Sequence, residues 1–291
     1  MRINRLVGIT AACLAATTVA ACGGDASSSG GSDASGSFGQ CHVTGKAGQY
    51  HLKTVKPDVL TIKADVPSVG WWDGDTVEAI DSGYEYCMAA EIAHRSGLKS
   101  VDLQYVSFDG LVSGKLTGYD LSLDEISITP ERQQVVDFSD PYYNSSIGVL
   151  AKKGADVSAS NLAGRHLGVK QGTAAQQWAQ KTLDPKNLDV FPGDSEALAA
   201  VAAGRIDAYL QDVAIELGQA KQSGGQVAVV GQYPTDEAYG AMLPKDSPNT
   251  DTVNKIIADL QKDGTLDKLS TKYLGPAFGG DPKSVPVWST P

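Results

Sequence analysis

From Val59 onward the chain alternates short β-branched runs with stretches of helical spacing. Val59-Leu60-Thr61-Ile62-Lys63-Ala64 reads as a strand. Tyr84, Cys87, Met88, Glu91 and Ile92 recur at helical spacing, and Gly97 is a fitting stop. Residues 101–106 alternate as a strand, 111–116 read as a short helix, and 119–123 as a further strand. Thr129 can cap a helix with Pro130 in its first position and Glu131 beside it. Strands alternating with helices predict a mostly parallel sheet covered on both faces.

The pattern then restarts. Residues 147–152 predict a strand, Leu162 opens a short helix, and His166-Leu167-Gly168-Val169-Lys170 is a strand leading through Gln171-Gly172-Thr173 into a helix that reaches Trp178. Ser195 caps a helix that Gly204 ends; residues 206–210 form a strand, a helix starts near Val213, and 227–230 close the unit. One more strand is expected at 239–243, then helices over 250–262 and 265–273, then an irregular Pro- and Gly-rich tail over 276–291. Two α/β units of similar size predict two lobes, and no solenoid period is visible.

The first residues have the order of an export signal: Arg2 and Arg5, an apolar run over 6–21, and small residues before Cys22. The run is too short for a comfortable transmembrane span. Val19-Ala20-Ala21-Cys22 resembles a bacterial lipobox, which implies a signal peptide over 1–21 and lipidation of Cys22. Residues 23–40 are almost all Gly, Ser, Asp and Ala, a composition that behaves as flexible coil and spans roughly 25 Å. The lipidated tether is placed over 22–56.

The 291 residues carry a net charge of −10, which argues against nucleic acid and against adhesion to anionic lipid. Of four cysteines, Cys13 falls in the signal and Cys22 takes the lipid. The even remainder, Cys41 and Cys87, predicts a disulfide in an exported protein; two free buried thiols are the alternative. No zinc spacing, CxxC, phosphate loop or Ser-His-Asp order is present, so neither metal nor cofactor is expected.

One stretch is highly specific: Ile126-Ser127-Ile128-Thr129-Pro130-Glu131-Arg132, followed by Val136-Asp137-Phe138-Ser139-Asp140-Pro141-Tyr142-Tyr143. It resembles the amino-acid-binding class, family 3, of bacterial extracellular solute-binding proteins. Gly83-Tyr84-Glu85, Phe108-Asp109-Gly110-Leu111, Gly168-Val169-Lys170-Gln171-Gly172-Thr173, Gly204-Arg205-Ile206-Asp207-Ala208 and Lys262-Asp263-Gly264-Thr265-Leu266 agree in order and spacing. The resemblance implies an α/β, two-lobed periplasmic-binding-protein-like fold of type II, with two hinge strands joining the lobes. Mapped onto this chain, lobe 1 is 57–142 and 239–275, lobe 2 is 147–237, and the crossovers fall at 143–146 and 235–238. It further implies the substrate-binding component of an ABC importer: a monomer, anchored by lipid to the outer face of the cell membrane, that delivers an amino acid to permease subunits.

The resemblance also implies a site. Arg132 would bind the ligand's α-carboxylate, using the planar fork that grips a carboxylate by two hydrogen bonds. Ser127 would donate to the same group, and Thr173 would reach it from the second lobe, where a strand turning into a helix leaves N–H groups facing an anion. Asp212 would hold the α-ammonium, with a helix N-cap as its structural alternative. Phe108, Trp71 and Trp72 would wall the ligand's stem; for Trp71, core packing is equally open.

Two features depart from the family. The aromatic-Pro-Pro-aromatic segment is replaced by Val66-Pro67-Ser68-Val69-Gly70-Trp71-Trp72, and Asp124 and Glu125 stand where most relatives carry small residues. With Asp65 and Asp212, four acids would face Arg132 and Lys170. Such a cleft repels an anionic side chain and favours a cationic or amide one, as in lysine, arginine or glutamine. The alternative is that Glu125 pairs with Lys170 and leaves the site neutral. The rival functions are a dehydratase-like enzyme, whose acid would be the Asp124/Glu125 pair, and a ligand-sensing module. Transport without catalysis is the expectation.

Overall fold

The computed structural model describes residues 38–290. The expected signal peptide, Cys22 and the tether up to residue 37 lie outside the described residues. Among the described residues no helix is long and apolar enough to cross a membrane.

The first lobe starts with β1 (Val59–Ala64), which pairs in parallel with β2 (Ser100–Tyr105) across α1 (Tyr84–Arg95). Leu60, Ile62 and Ala64 alternate into a core with Met88, Ala89 and Ile92 of α1, the two-residue period of a strand meeting the stripe of a helix. A short helix α2 (Phe108–Leu111) follows, one turn before the expected 111–116. Its start is set by Ser107, whose carbonyl accepts from Leu111 N, and residues 113–118 run as turns instead. The expected strand at 119–123 is reduced to isolated bridges, Leu121 to Ile62 and Ser122 to Met242. Thr129 caps α3 (Pro130–Gln133) as expected, its hydroxyl accepting from Arg132 N. β3 (Val136–Phe138) leads into the first crossover strand, β4 (Tyr143–Asn144).

The second lobe contains a five-stranded sheet built from β5 (Ile147–Lys152), β6 (His166–Lys170), β7 (Asn187–Phe191), β8 (Ala208–Asp212) and β9 (Val227–Tyr233), in the order β7-β6-β8-β5-β9. The sheet is mixed, not mostly parallel. β6 pairs in parallel with β7 and β8, while β5 runs antiparallel to β8 and β9. This follows from β5 and β9 being the strands that enter from and return to the first lobe. Alternate residues of the central strands fill two opposed cores. Val149, Ala151 and Leu210 face α4 (Ala174–Trp178), whereas Leu150 and Tyr209 face α5 (Asp194–Ala203). α6 (Val213–Gln222) follows β8 directly.

The return passes through β10 (Ala238–Tyr239), antiparallel to β4 with Tyr239 opposite Tyr143, and β11 (Met242–Pro244), antiparallel to β3. Two paired crossovers joining an upstream and a downstream part of one lobe are the arrangement the resemblance implies. α7 (Thr250–Lys262) and α8 (Thr265–Leu269) complete the first lobe.

The two terminal segments are more ordered than their composition suggests. The tether was expected to run to residue 56, but residues 38–56 are tied down onto the first lobe. Cys41 and Cys87 form the expected disulfide, with a Cα–Cα distance of 5.3 Å. Thr44 donates its N–H and hydroxyl to Glu91 (both 2.8 Å), Tyr50 donates to Asp259 (2.6 Å), and Val55 N donates to Asp120 (2.7 Å). Acceptors on the first lobe thus replace the water that a tether would keep. The tail is likewise not irregular throughout. α9 (Gly275–Phe278) buries Phe278. Beyond it, Gln232 donates to the carbonyls of Pro282 and Val285 (2.9 Å each), Val287 bridges to Gln232 in parallel, and Trp288 packs against Tyr233 at 5.7 Å. The tail therefore leaves the first lobe and ends on the β9 edge of the second.

Candidate functional site

The interlobe cavity is built from loop and helix starts on both sides. The first lobe contributes Asp65, just past β1, Ser68 in the turn after it, Phe108 at the start of α2, Asp124, Glu125 and Ser127 in one extended segment, and Arg132 on α3. The second lobe contributes Lys170 and Asp212 at the carboxyl ends of β6 and β8, Gln211 beside Asp212, Thr173 and Ala174 at the start of α4, Asp194 at the start of α5, and Ile215 on α6. The carboxyl ends of parallel strands are where side chains and helix N-termini converge in open α/β sheets, and ligands settle there. Nine of the eleven ligand-contacting residues expected from the sequence line this cavity.

Trp71 and Trp72 do not line it. Both are fully buried in the first lobe. Trp71 packs edge-on against Tyr84 (5.3 Å), Tyr143 (5.0 Å) and Tyr239 (5.7 Å), so it braces the crossovers rather than the cavity. Trp72 donates its indole N–H to Glu85 (2.8 Å). The reason is the turn itself. Trp71 N and Trp72 N both donate to Ser68 O, and this folds the indoles back into the lobe and leaves Ser68 facing the cavity.

Arg132 is buried with its guanidinium spanning the lobes. It donates to the carbonyl of Ser127 (2.6 Å) and, across the cleft, to that of Gly172 (2.9 Å), and lies 5.3 Å from the Phe108 ring centre. Gly172 has φ = 79°, and a Cβ there would stand 3.2 Å from Asp109 Cα, so this close approach needs glycine. Among the described residues Arg132 makes no carboxylate ion pair, and its Nε has no partner. Burial lowers its pKa to about 10, against the pull of Asp212, Glu237 and Asp124, so it stays protonated at neutral pH.

Asp212 stands at the N-terminus of α6 but makes no side-chain cap bond to it. Its Oδ2 accepts from Tyr239 of the second crossover (2.6 Å), and burial raises the carboxyl to about 6, with Tyr239 and Arg132 opposing. Glu237, in the same crossover, is pushed to about 8 by burial and by Asp212, and sequence reasoning missed it.

Lys170 is held between carboxylates of both lobes, 2.8 Å from Asp65 and 2.8 Å from Asp194, with the Phe108 ring 5.1 Å away. Burial alone would lower its pKa, but Asp194 and Asp65 outweigh burial and hold it raised. Asp194 also accepts from Tyr209 (2.8 Å) and Gln211 (3.1 Å), which leaves this corner satisfied. Asp194 and Gln211 were not anticipated, although Asp194 sits beside the expected cap Ser195 and Gln211 beside Asp212.

The carboxylates of the first lobe are in a different state. Glu125 accepts from Ser68 (2.6 Å), and Asp124 accepts from Asp65 N (3.1 Å). The expected alternative pairing of Glu125 with Lys170 is not formed, since Lys170 is taken by Asp65 and Asp194. Burial first, then neighbouring acids, raises both carboxyls well above their ordinary values. Glu125 adopts φ = 45°, the left-handed region, at a cost of about 1 kcal/mol. Glu85 holds it there by accepting from Glu125 N (2.9 Å), while Tyr142 and Trp72 donate to Glu85 from behind. Burial lifts Glu85 to about 7. Among the described residues no group of three or more His, Cys, Asp or Glu is arranged to hold a metal ion.

Comparison with known proteins follows from this geometry. The family model described as "Bacterial extracellular solute-binding proteins, family 3" matches residues 75–276. The chain is 31% identical over 199 residues to the L-cystine-binding protein TcyJ of Escherichia coli (strain K12), covering 67% of this chain and 74% of that one. It is 34% identical over 212 residues to the lysine/arginine/ornithine-binding periplasmic protein of Escherichia coli (strain K12), covering 68% and 81%. Among solved structures it is similar to an ancestral arginine-binding protein bound to arginine, with a TM-score of 0.68, 29% identity, and coverage of 77% of this chain and 99% of that one.

Proposed function

Because the chain belongs to the bacterial extracellular solute-binding proteins, family 3, we propose that it captures an amino acid with a cationic side chain between its lobes and passes it to the permease subunits of an ABC importer. The observation that carries this reading is a buried guanidinium without a carboxylate partner, on the opposite side of the cavity from a buried acid: Arg132 and Asp212. A zwitterion completes both. Its carboxylate takes the free N–H groups of Arg132, with Ser127 and Thr173 beside it, and its ammonium takes Asp212. Because the two groups belong to different lobes, the ligand favours the closed form by binding it better than the open one.

The side-chain preference rests on charge. Five carboxylates and two cations line the cavity, and Lys170 is already matched by Asp65 and Asp194. Asp124 and Glu125 are the excess, and an added cation is what lets them ionise. The lysine-, arginine- and ornithine-binding relative fits this preference. The anchor is proposed to be lipid on Cys22, holding a monomer on the outer face of the cell membrane. Glutamine, lysine, arginine and glutamate titrated calorimetrically test the preference: lysine or arginine is expected to bind tightest, and tightest binding of glutamate overturns it. Mass spectrometry of the bound ligand after incubation separates capture from catalysis, and an unchanged ligand is expected.

A further inference from the structure

The interlobe cavity does not end at Glu125. Ser68, Asp194 and Ile215 are shared with a second compartment nearer the mouth, which Val69, Leu198 and Gln219 also line. Ser68 and Val69 reach it from the first lobe; the other six, Ser195 and Gln222 among them, come from α5 and α6 of the second. Gln219 is 8% exposed, and its Oε1 has no hydrogen-bond partner among the described residues. A buried amide oxygen left unpaired destabilises a fold by about 1–3 kcal/mol unless something donates to it. Gln219 lines the compartment that shares Ser68, the donor to Glu125, with the interlobe cavity. The apolar flanks, Val69 and Leu198, suit a methylene stem leading to that oxygen.

We propose that this outer compartment is a subsite for the distal end of an extended amino acid, with Gln219 Oε1 accepting from a terminal N–H such as a guanidinium. The inference rests on the amino-acid-binding reading above and adds that ligand length is selected, in addition to side-chain charge. A short cationic amino acid satisfies Arg132, Asp212 and Glu125 and leaves Gln219 unpaired. A longer one with terminal N–H groups satisfies all four.

The test is calorimetric titration of the full folded protein with arginine and with the shorter cation 2,4-diaminobutyrate. In Gln219→Leu, arginine affinity falls by at least about tenfold and 2,4-diaminobutyrate affinity shifts by less than about twofold. Val69→Trp, which fills the same compartment from the other lobe, gives the same selective loss and covers the case in which Gln219→Leu fails to fold. Equal shifts for the two ligands, or no shift for either, overturn the subsite and leave the capture of cationic amino acids standing. If neither cation binds the unmodified protein, the subsite and the functional reading fall together.

Discussion

The two walls of the cleft solve the same problem, buried charge, in opposite ways. On the second lobe, Asp194 is satisfied by Lys170, Tyr209 and Gln211, and the cluster is complete without a ligand. On the first lobe, Arg132 has only carbonyl acceptors, and Asp124 and Glu125 have only neutral donors. A buried polar network that is fully paired is rigid, whereas one left partly paired is completed by whatever enters. Around Asp194 the second lobe is therefore a finished frame; the open valences are Arg132, Asp124 and Glu125 on the first lobe, with Gln219 Oε1 added by the second lobe. Glu125 belongs to the second kind: its backbone sits in the left-handed region and is kept there by Glu85, a group that never reaches the cavity. Strain of this sort collects where function requires a fixed geometry.

The largest effect should fall on stability and spare the site. Replacing Cys41 and Cys87 together by serine reopens a loop of 46 residues, and unfolding experiments should record a loss of about 4 kcal/mol. Ligand affinity should be unchanged, because the staple lies on the first lobe away from the cleft. A parallel loss of affinity would tie the first lobe's open valences to its outer surface and break the comparison.

Arg132→Ala comes next, with affinity for every amino acid expected to fall by at least about 2 kcal/mol, roughly thirtyfold, because the ligand carboxylate is left buried and unpaired. A smaller and more selective effect should follow Glu125→Gln. The ratio of arginine to glutamine affinity is expected to shrink by about tenfold in competition titrations, whereas Asp194→Asn should weaken both ligands alike. Equal behaviour of the two variants would erase the distinction between the walls.

The smallest effect concerns pH and Glu85. Its carboxyl is raised from 4.5 to about 7 in the folded protein, mainly by burial. A raised folded pKa means that the folded state binds the proton more tightly than the unfolded chain. The stabilisation is present below pH 4.5 and is lost as pH rises through about 7. Glu85→Gln should flatten that part of the stability–pH curve by about 1 kcal/mol per pH unit in denaturant titrations; an unchanged slope would mean that Glu85 is ionised in the folded state.

How far the molecule was legible in its sequence differs between the same regions. Arg132, Thr173, Asp212 and Lys170 were readable because each stands where a strand ends or a helix begins, and local signals mark those junctions: Thr129-Pro130 before Arg132, and Gly172 before Thr173. The direction of Trp71 and Trp72 was not readable, because it depends on two hydrogen bonds to Ser68 O that turn the chain back into the lobe. β7 was missed because Asn187-Leu188-Asp189-Val190-Phe191 is a largely exposed edge strand with too few apolar positions to stand out. Residues 38–56 looked like tether because they continue a Gly- and Ser-rich stretch with no strand or helix period, yet their order comes from partners elsewhere: the disulfide to Cys87, the first-lobe core under Phe38, Val43, Tyr50 and Leu52, and the acceptors Glu91, Asp120 and Asp259. The tail carried one overlooked signal, Trp288, a large aromatic in an otherwise Pro- and Gly-rich segment.

The most direct test of the open-valence account is one titration series on the unmodified protein with arginine, its decarboxylated form agmatine, and glutamate. Arginine should bind tightest, agmatine at least about thirtyfold weaker because nothing then completes Arg132, and glutamate weakest of all against Asp124 and Glu125. Agmatine binding as tightly as arginine, or glutamate binding tightest, would contradict the assignment of the ligand's charges to these residues.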